Sequence, residues 1–287
     1  MNIFGINAIQ IENESDKSKY YGKNVIGYTP QNGSTVGWKI FFADKNNIYL
    51  IADDYVEPNK LPASIKEDGT ITQNTPKITG SSFPRSASFA NIISDYSTGA
   101  KRIKNNYPIE IQQLNKSYFD QGFTSKNANM KAIAYMLDTK AWSSFKDREG
   151  KASYVIGGPT IEILFKSYNQ KYKVQYKAEA VKSIINNSIN ADGYQISKDN
   201  GNTWSHRYAE MLDKKDTLYV LPSSRGANAM WVASPSKNGD INVMYVYYDG
   251  FVDSGSYLWG DLGFRPVVCL NSYVELQKKD TGFCIKE

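Results

Sequence analysis

The chain has 287 residues, enough for one large domain or two small ones with a sizeable core. Its 41% hydrophobic and 22% charged content is that of a globular protein and excludes a disordered one. A net charge of +5 with no Lys/Arg run argues against nucleic acid and anionic membrane as partners, and no stretch approaches the ~20 apolar residues of a membrane-spanning helix.

In chain order, residues 1 to about 30 read as a polar N-terminal arm. MNIFGINAIQIENESDKSKYYG lacks a basic region, a long apolar core and a small-residue cleavage site, so it does not read as a secretory signal. Residues 31–287 read as one domain, with no internal repeat and no low-complexity linker. GWKIFFADKNNIYLIADDYV (37–56) predicts a hairpin, two apolar runs flanking a turn at Asp44-Lys45-Asn46-Asn47. Residues 57–90, rich in Pro, Ser, Thr and Lys, predict a long surface loop.

Helical spacing follows. Ile111, Leu114 and Tyr118 share a face of one predicted helix, and Met130, Ile133, Ala134 and Leu137 a face of a second, with Asn127 or Asn129 as its cap. A third carries Ile161, Leu164, Phe165 and Tyr168, with Pro159 in its first turn and Glu162 beside Lys166. Strands then return. GYQISKDNGNTWSH (193–206) predicts a hairpin turning at Asn200-Gly201, and DTLYVL (216–221), MWVAS (230–234), the run from 242 and FRPVVCL (264–270) predict further strands. A tail hairpin is expected at Asp280-Thr281-Gly282. Strands, helices and strands again, without a βα repeat, define an α+β class.

The segment from 242, NVMYVYYDGFVDSGSYLWGDLGFRPVVCL, crowds aromatic residues around one Asp-Gly step. A two-residue turn at Asp249-Gly250 would place Asp253 on the side of Val246 and Met244, burying a charge. A three-residue loop with Gly250 in the left-handed conformation shifts the register by one. Val246 then faces Val252 on a core side shared with Met244, while Tyr245 and Tyr247 meet Asp253 and Phe251 on the other. That second side mixes Tyr with Ser, Gly and Asp, the composition of a recognition surface: rigid aromatic area beside short hydrogen-bonding groups. Trp231, in MWVAS, reads as core.

Residues bearing other chemistry are sparse. Cys269 in PVVCL reads as a small core residue, and a bridge to Cys284 is left open. His206 is the only histidine and has no G-x-S-x-G context, so neither a catalytic triad nor zinc is expected. Glu57-Pro58-Asn59 matches a triplet with which animal C-type lectins bind calcium and sugar, but it follows an early hairpin far from the C-terminal strands and reads as coincidence. Asp53 and Asp54 read as a solvated hairpin end. Gly157-Gly158-Pro159-Thr160 reads as a tight helix entry, and Asn186-Asn187-Ser188 as a sequon without weight. No catalytic residue, metal or cofactor is expected.

WVASPSKNGDINVMYVYYDGFVDSGSYLWGDLGFRPVVCL resembles the C-terminal part of a family of C-type-lectin-like bacterial and phage proteins of Firmicutes, with the fold type of formylglycine-generating enzymes. The resemblance continues through GWKIFFADKNNIYLIADDYV, MKAIAYMLDTKAW, YVIGGPTIE and GYQISKDNGNTW and covers most of residues 20–277. It implies a C-type-lectin-like fold of antiparallel sheets with several flanking helices. It implies an internal GFRP strand with Arg265 as a buried structural partner for carboxylates or carbonyls. Many relatives carry an N-terminal prepilin-type helix, which this sequence does not. Some are targets of diversity-generating retroelements, whose rewritten codons yield residues such as the Tyr, Ser, Asp, Gly and Phe at 245–257, although Trp259 is not such an outcome. The lectin-like copper oxidases use paired cysteines unlike Cys269 and Cys284.

Residues and resemblance together predict a non-catalytic, receptor- or adhesin-type binding protein with its binding face at about 240–262. That face comprises Tyr245, Tyr247, Tyr248, Asp249, Phe251, Asp253, Ser254, Ser256 and Tyr257, with Trp259 at its rim and Asn228 near its edge. The expected partner is a protein or glycan on another cell or particle, and the expected location the cell surface, the extracellular space or a virion. Two other readings stay open: a phage receptor-binding or virion-decoration protein, and a sugar-specific lectin or carbohydrate-active enzyme.

Overall fold

The computed structural model describes residues 5–28, 36–55, 64–65, 71–72, 133–134, 159–185, 189–238, 242–256, 259, 261–263, 265, 267–270 and 274–286. Antiparallel sheets dominate these residues, and they hold two α-helices where several were expected.

The segment read as a polar arm is built into the core. Helix α1 (Ala8–Asn13) starts on a capping box: Asn7 Oδ1 accepts from the Gln10 N–H at 3.0 Å, and Gln10 Oε1 accepts from the Asn7 N–H at 2.9 Å. Its other end is closed by the buried Lys17, whose Nζ donates to the carbonyls of Ile11 and Glu12. Ala8, Ile11, Tyr21, Val25 and Tyr28 join the main hydrophobic cluster. Ala8 and Ile11 stand three apart on α1, too short a run to be read as a buried face, and Tyr21, Val25 and Tyr28 fall at helical spacing although that segment forms turns and bridges.

Strands β1 (Trp38–Ala43) and β2 (Ile48–Ala52) form the expected hairpin. Asp44 Oδ1 accepts from the Asn46 and Asn47 N–H groups, both at 2.8 Å, and fixes the turn. Every β2 residue is buried because the strand is internal: the sheet runs β1-β2-β12-β5, with β12 Val267–Leu270 and β5 Ile133–Ala134. Ile133 and Ala134 were expected on a helix. They instead pair with Cys269 and Val268, because the outer edge of β12 needs backbone partners, a demand no side-chain period reveals. The rest of that predicted helix, and the one carrying Ile111, Leu114 and Tyr118, lie outside the described residues. Within the predicted 57–90 loop, β3 (Ser64–Ile65) and β4 (Ile71–Thr72) pair as a short hairpin.

Helix α2 (Ile161–Tyr172) buries Ile161, Leu164, Phe165 and Tyr168 as its periodicity predicts. Thr160 is the cap, accepting from the Ile163 N–H, so Pro159 stands just before the helix and not within its first turn. Ser167 donates to the Phe41 carbonyl and meets the Tyr219 hydroxyl at 2.8 Å, tying the helix to β1.

Strands β6 (Lys177–Ile185) and β7 (Ile189–Ser197) form a long hairpin. The sequence reading missed β6, since KAEAVK is made of good helix formers. The predicted 193–206 hairpin is reduced to one bridge, Ile196 with Ser205, around a turn where Asn200 and Gly201 both have positive φ. Residues 216–221, expected as a strand, form turns instead. The Asp216 carbonyl accepts from the Tyr219 and Val220 N–H groups and its Oδ1 from Leu218 N–H, a local hydrogen-bond set that outcompetes a ladder.

The second sheet runs β10-β9-β8-β11, from β8 (Ala229–Pro235), β9 (Asn242–Tyr247), β10 (Val252–Ser256) and β11 (Leu262–Gly263). Its pairings are antiparallel except β11 against β8. Trp231 on β8 is fully buried, as expected. The tail forms the expected hairpin of β13 (Leu276–Lys279) and β14 (Gly282–Ile285), and bridges from Ile6 to Leu276 and Val25 to Phe283 bind the two chain ends together.

Candidate functional site

The β9–β10 register is the one the apolar pattern selects: Val246 opposite Val252, Tyr245 opposite Asp253 and Met244 opposite Ser254. The loop has three residues, closed by Gly250 N–H donating to the Tyr247 carbonyl and Tyr247 N–H to the Phe251 carbonyl. Asp249 Oδ1 accepts from the Phe251 N–H at 3.0 Å, and Gly250 takes φ +88. A side chain at Gly250 would also collide with the Leu212 carbonyl, whose segment donates two N–H groups, Met211 and Leu212, to the Gly250 carbonyl. Tyr208 adds a two-way bridge to Val252. Segment 208–212 thus covers the outer edge of β10 near its turn.

On the face away from Met244 the rings form a series. Trp259 lies 5.9 Å from Tyr245, Tyr245 5.8 Å from Tyr247, and Tyr247 5.2 Å from Tyr248, centroid to centroid. The two ends are open to solvent, Trp259 at 45% and Tyr248 at 42% exposure; between them Tyr247 is half-buried and Tyr245 buried. Tyr245, expected as an exposed contact residue, is buried, because the indole of Trp259 and the ring of Tyr247 flank it. Gly255 makes this arrangement fit: a Cβ there would stand 2.5 Å from the indole.

Asp253 and Ser254 are also buried, contrary to their expected exposure. Asp253 sits opposite Tyr245 and accepts from the Ser254 N–H at 2.7 Å. Ser254, by strand alternation, belongs to the Met244 side; among the described residues its hydroxyl has no hydrogen-bond partner. Phe251 is half-buried, Tyr247 half-buried, and Asp249 exposed. Ser256 ends β10, and Tyr257 lies outside the described residues.

Carboxylates ring the aromatic series. Burial raises the Tyr245 hydroxyl well above the ordinary phenol range, and Asp253 raises it further. Burial, then Asp261, Tyr248 and Asp249, raise that of Tyr247. Asp261 was not among the expected site residues. It is brought in by Asn228, whose N–H donates to the Asp261 carbonyl at 2.9 Å and whose Nδ2 donates to its carboxylate at 3.3 Å. Asn228 also accepts from the Tyr248 N–H, so it does stand at the edge of this face.

The remaining candidates stand elsewhere. Arg265 is fully buried and donates to three carbonyls, Ala52 (2.6 Å), Leu218 (2.8 Å) and Thr217 (2.8 Å), which is the structural role expected of it. Burial holds its guanidinium down at about 10. Gly263 before it lets the Tyr55 ring approach, since a Cβ would lie 2.5 Å from that ring. Asp54 pairs with Arg225 at 3.1 Å. Cys284 is a free thiol facing Gln277 at 3.8 Å, so the bridge left open above is not made. His206 is partly buried, and Asp253, Arg207 and Lys237 lie within electrostatic reach of it. Among the described residues no three His, Cys, Asp or Glu side chains converge as metal ligands. Glu57-Pro58-Asn59, Gly157-Gly158 and Asn186-Asn187-Ser188 lie outside the described residues.

Fold and face together define a protein of antiparallel sheets that presents an aromatic, carboxylate-flanked surface beside a β-hairpin. Comparison with protein-family models, curated proteins and solved structures finds no match to this chain.

Proposed function

We propose that the chain is a non-catalytic binding protein of the C-type-lectin-like type, displayed on a cell or virion surface, that holds a protein or glycan ligand on the face beside the β9–β10 hairpin. The observation that carries this reading is the ring series ending in the exposed Trp259 and Tyr248. Exposed rings held in place by buried ones offer contact area with little side-chain freedom left to lose. Asp249 and Asp261 at the margin supply acceptors that select the partner. Residues 245–257 are also the stretch at which a diversity-generating retroelement would vary the ligand. A near-identical coding repeat differing at adenines, beside a reverse transcriptase gene, would be its signature in the surrounding DNA.

The test is binding of the labelled protein to a glycan array and, by flow cytometry, to whole bacterial cells, with a Tyr248→Ala/Trp259→Ala variant in parallel. Truncating an aromatic hot spot costs about 2 kcal/mol or more, so the variant should lose at least about tenfold in affinity while still unfolding cooperatively. Undiminished binding by the variant would sink the proposal. Signal on the array identifies a glycan; signal on cells alone, abolished by protease treatment of those cells, identifies a protein.

A further inference from the structure

A second concave site lies where the chain ends meet. The residues after the 3₁₀ turn at Lys17–Lys19 and the turn between β13 and β14 enclose a cleft of about 490 Å³. It is lined by Lys19, Lys23, Lys278 and Lys279 against a single aspartate, Asp280. Lys19 is held by Glu14 at 3.0 Å, but no ion pair among the described residues involves Lys23, Lys278 or Lys279. Tyr20 and Phe283, 5.7 Å apart, supply an aromatic wall. Lys23 also lines a second cleft of about 250 Å³ that contains Lys39 and Lys171, the latter paired with Asp216 at 2.6 Å. Lys23, without an ion pair among the described residues, thus lines both hollows.

We propose that this paired cleft binds a small polyanion carrying two or more phosphate or sulfate groups. Like charges gathered in a concavity strengthen each other's attraction for an anion, and each ammonium offers three donors without requiring planar geometry. Each hollow offers lysines of its own to an anionic group, and Lys23 is common to both. A neutral sugar would leave the lysine charges unanswered. The larger volume lies within the ~300–1,000 Å³ typical of small-ligand sites. The proposal is independent of the aromatic face.

The experiment is isothermal titration of the full chain at low ionic strength with sodium tripolyphosphate and, separately, with sucrose octasulfate. Lys23→Ala/Lys279→Ala is compared with Lys45→Ala/Lys214→Ala, which removes the same charge from exposed positions outside both clefts. The expected result is one site per chain, weakened about tenfold or more by the cleft variant and unchanged by the control. Stronger binding of the tripolyphosphate, despite its lower charge, would assign phosphate as the preferred group. Absence of binding to both, or equal weakening in the two variants, would overturn the proposal. Because all four lysines are exposed, thermal midpoints should stay level across the series.

Discussion

Gly255 and Trp259 fit closely together: the indole lies where a side chain at position 255 would be, 2.5 Å from the ideal Cβ. Gly255 sits on β10 beside Asp253 in the alternation, on the same side as Tyr245. The glycine is thus the reason Trp259 can lie over the strand and flank Tyr245.

Gly255→Ala is therefore expected to swing the indole off the strand. Because Trp259 is 45% exposed and free to move outward, the stability cost should be near the low end for overpacking, about 1 kcal/mol. Exposure of the Tyr245 ring should rise, and any ligand that uses the face should be lost as fully as with Trp259→Ala. Near-ultraviolet circular dichroism with urea unfolding checks both effects. An unaltered aromatic spectrum would show that the contact does not matter.

Arg265 bears on stability alone. Its three carbonyl acceptors come from Ala52, at the end of β2, and from Thr217 and Leu218 in the turn-rich segment. Arg265→Met should orphan them and cost about 3–5 kcal/mol in urea unfolding. Arg265→Lys should recover only part of this, since an ammonium on a single point cannot reproduce the planar fork. A loss below about 1 kcal/mol for the Met variant would mean that the carbonyls find other partners.

The lone histidine gives the molecule a pH dependence with a definite sign. Burial lowers the His206 pKa below its ordinary 6.5, against the attraction of Asp253 and with the help of Arg207 and Lys237. The unfolded chain then binds the proton more readily than the folded one. The stabilising contribution is complete above about pH 6.5 and is lost as pH falls through the lower folded value. A proton NMR titration follows this one imidazole without overlap. A midpoint above 6.5 in the folded protein would show that Asp253 outweighs burial and would reverse the sign.

Much of the β9–β10 hairpin was legible because two local facts agreed. Apolar alternation and the cost of burying Asp253 beside Val246 selected one register, and an Asp-Gly step permits the left-handed residue that register needs. Exposure is not legible from the same facts: they put Asp253 on the correct side of the strand, but only the fold shows it buried opposite Tyr245. Alternation tells which side a residue takes; what covers that side depends on other segments. For β6 and for Ile133–Ala134 the local preference was helical, and strand pairing overrode it.

Elements whose causes lie within a few residues can be read from the sequence directly. These are the Asp44 turn, the burial face of α2, the three-residue loop at Gly250 and the tail hairpin. Which distant groups meet is settled by the packing of the folded chain. It set Asn228 against Asp261, Arg265 against the carbonyls of Ala52 and Leu218, and Lys19 and Lys23 against Lys278 and Lys279. The physical reason is range. Turn chemistry and side-chain alternation act along the backbone, whereas charge gathered in a cleft and an indole packed over a glycine depend on how distant segments meet, which no local pattern encodes.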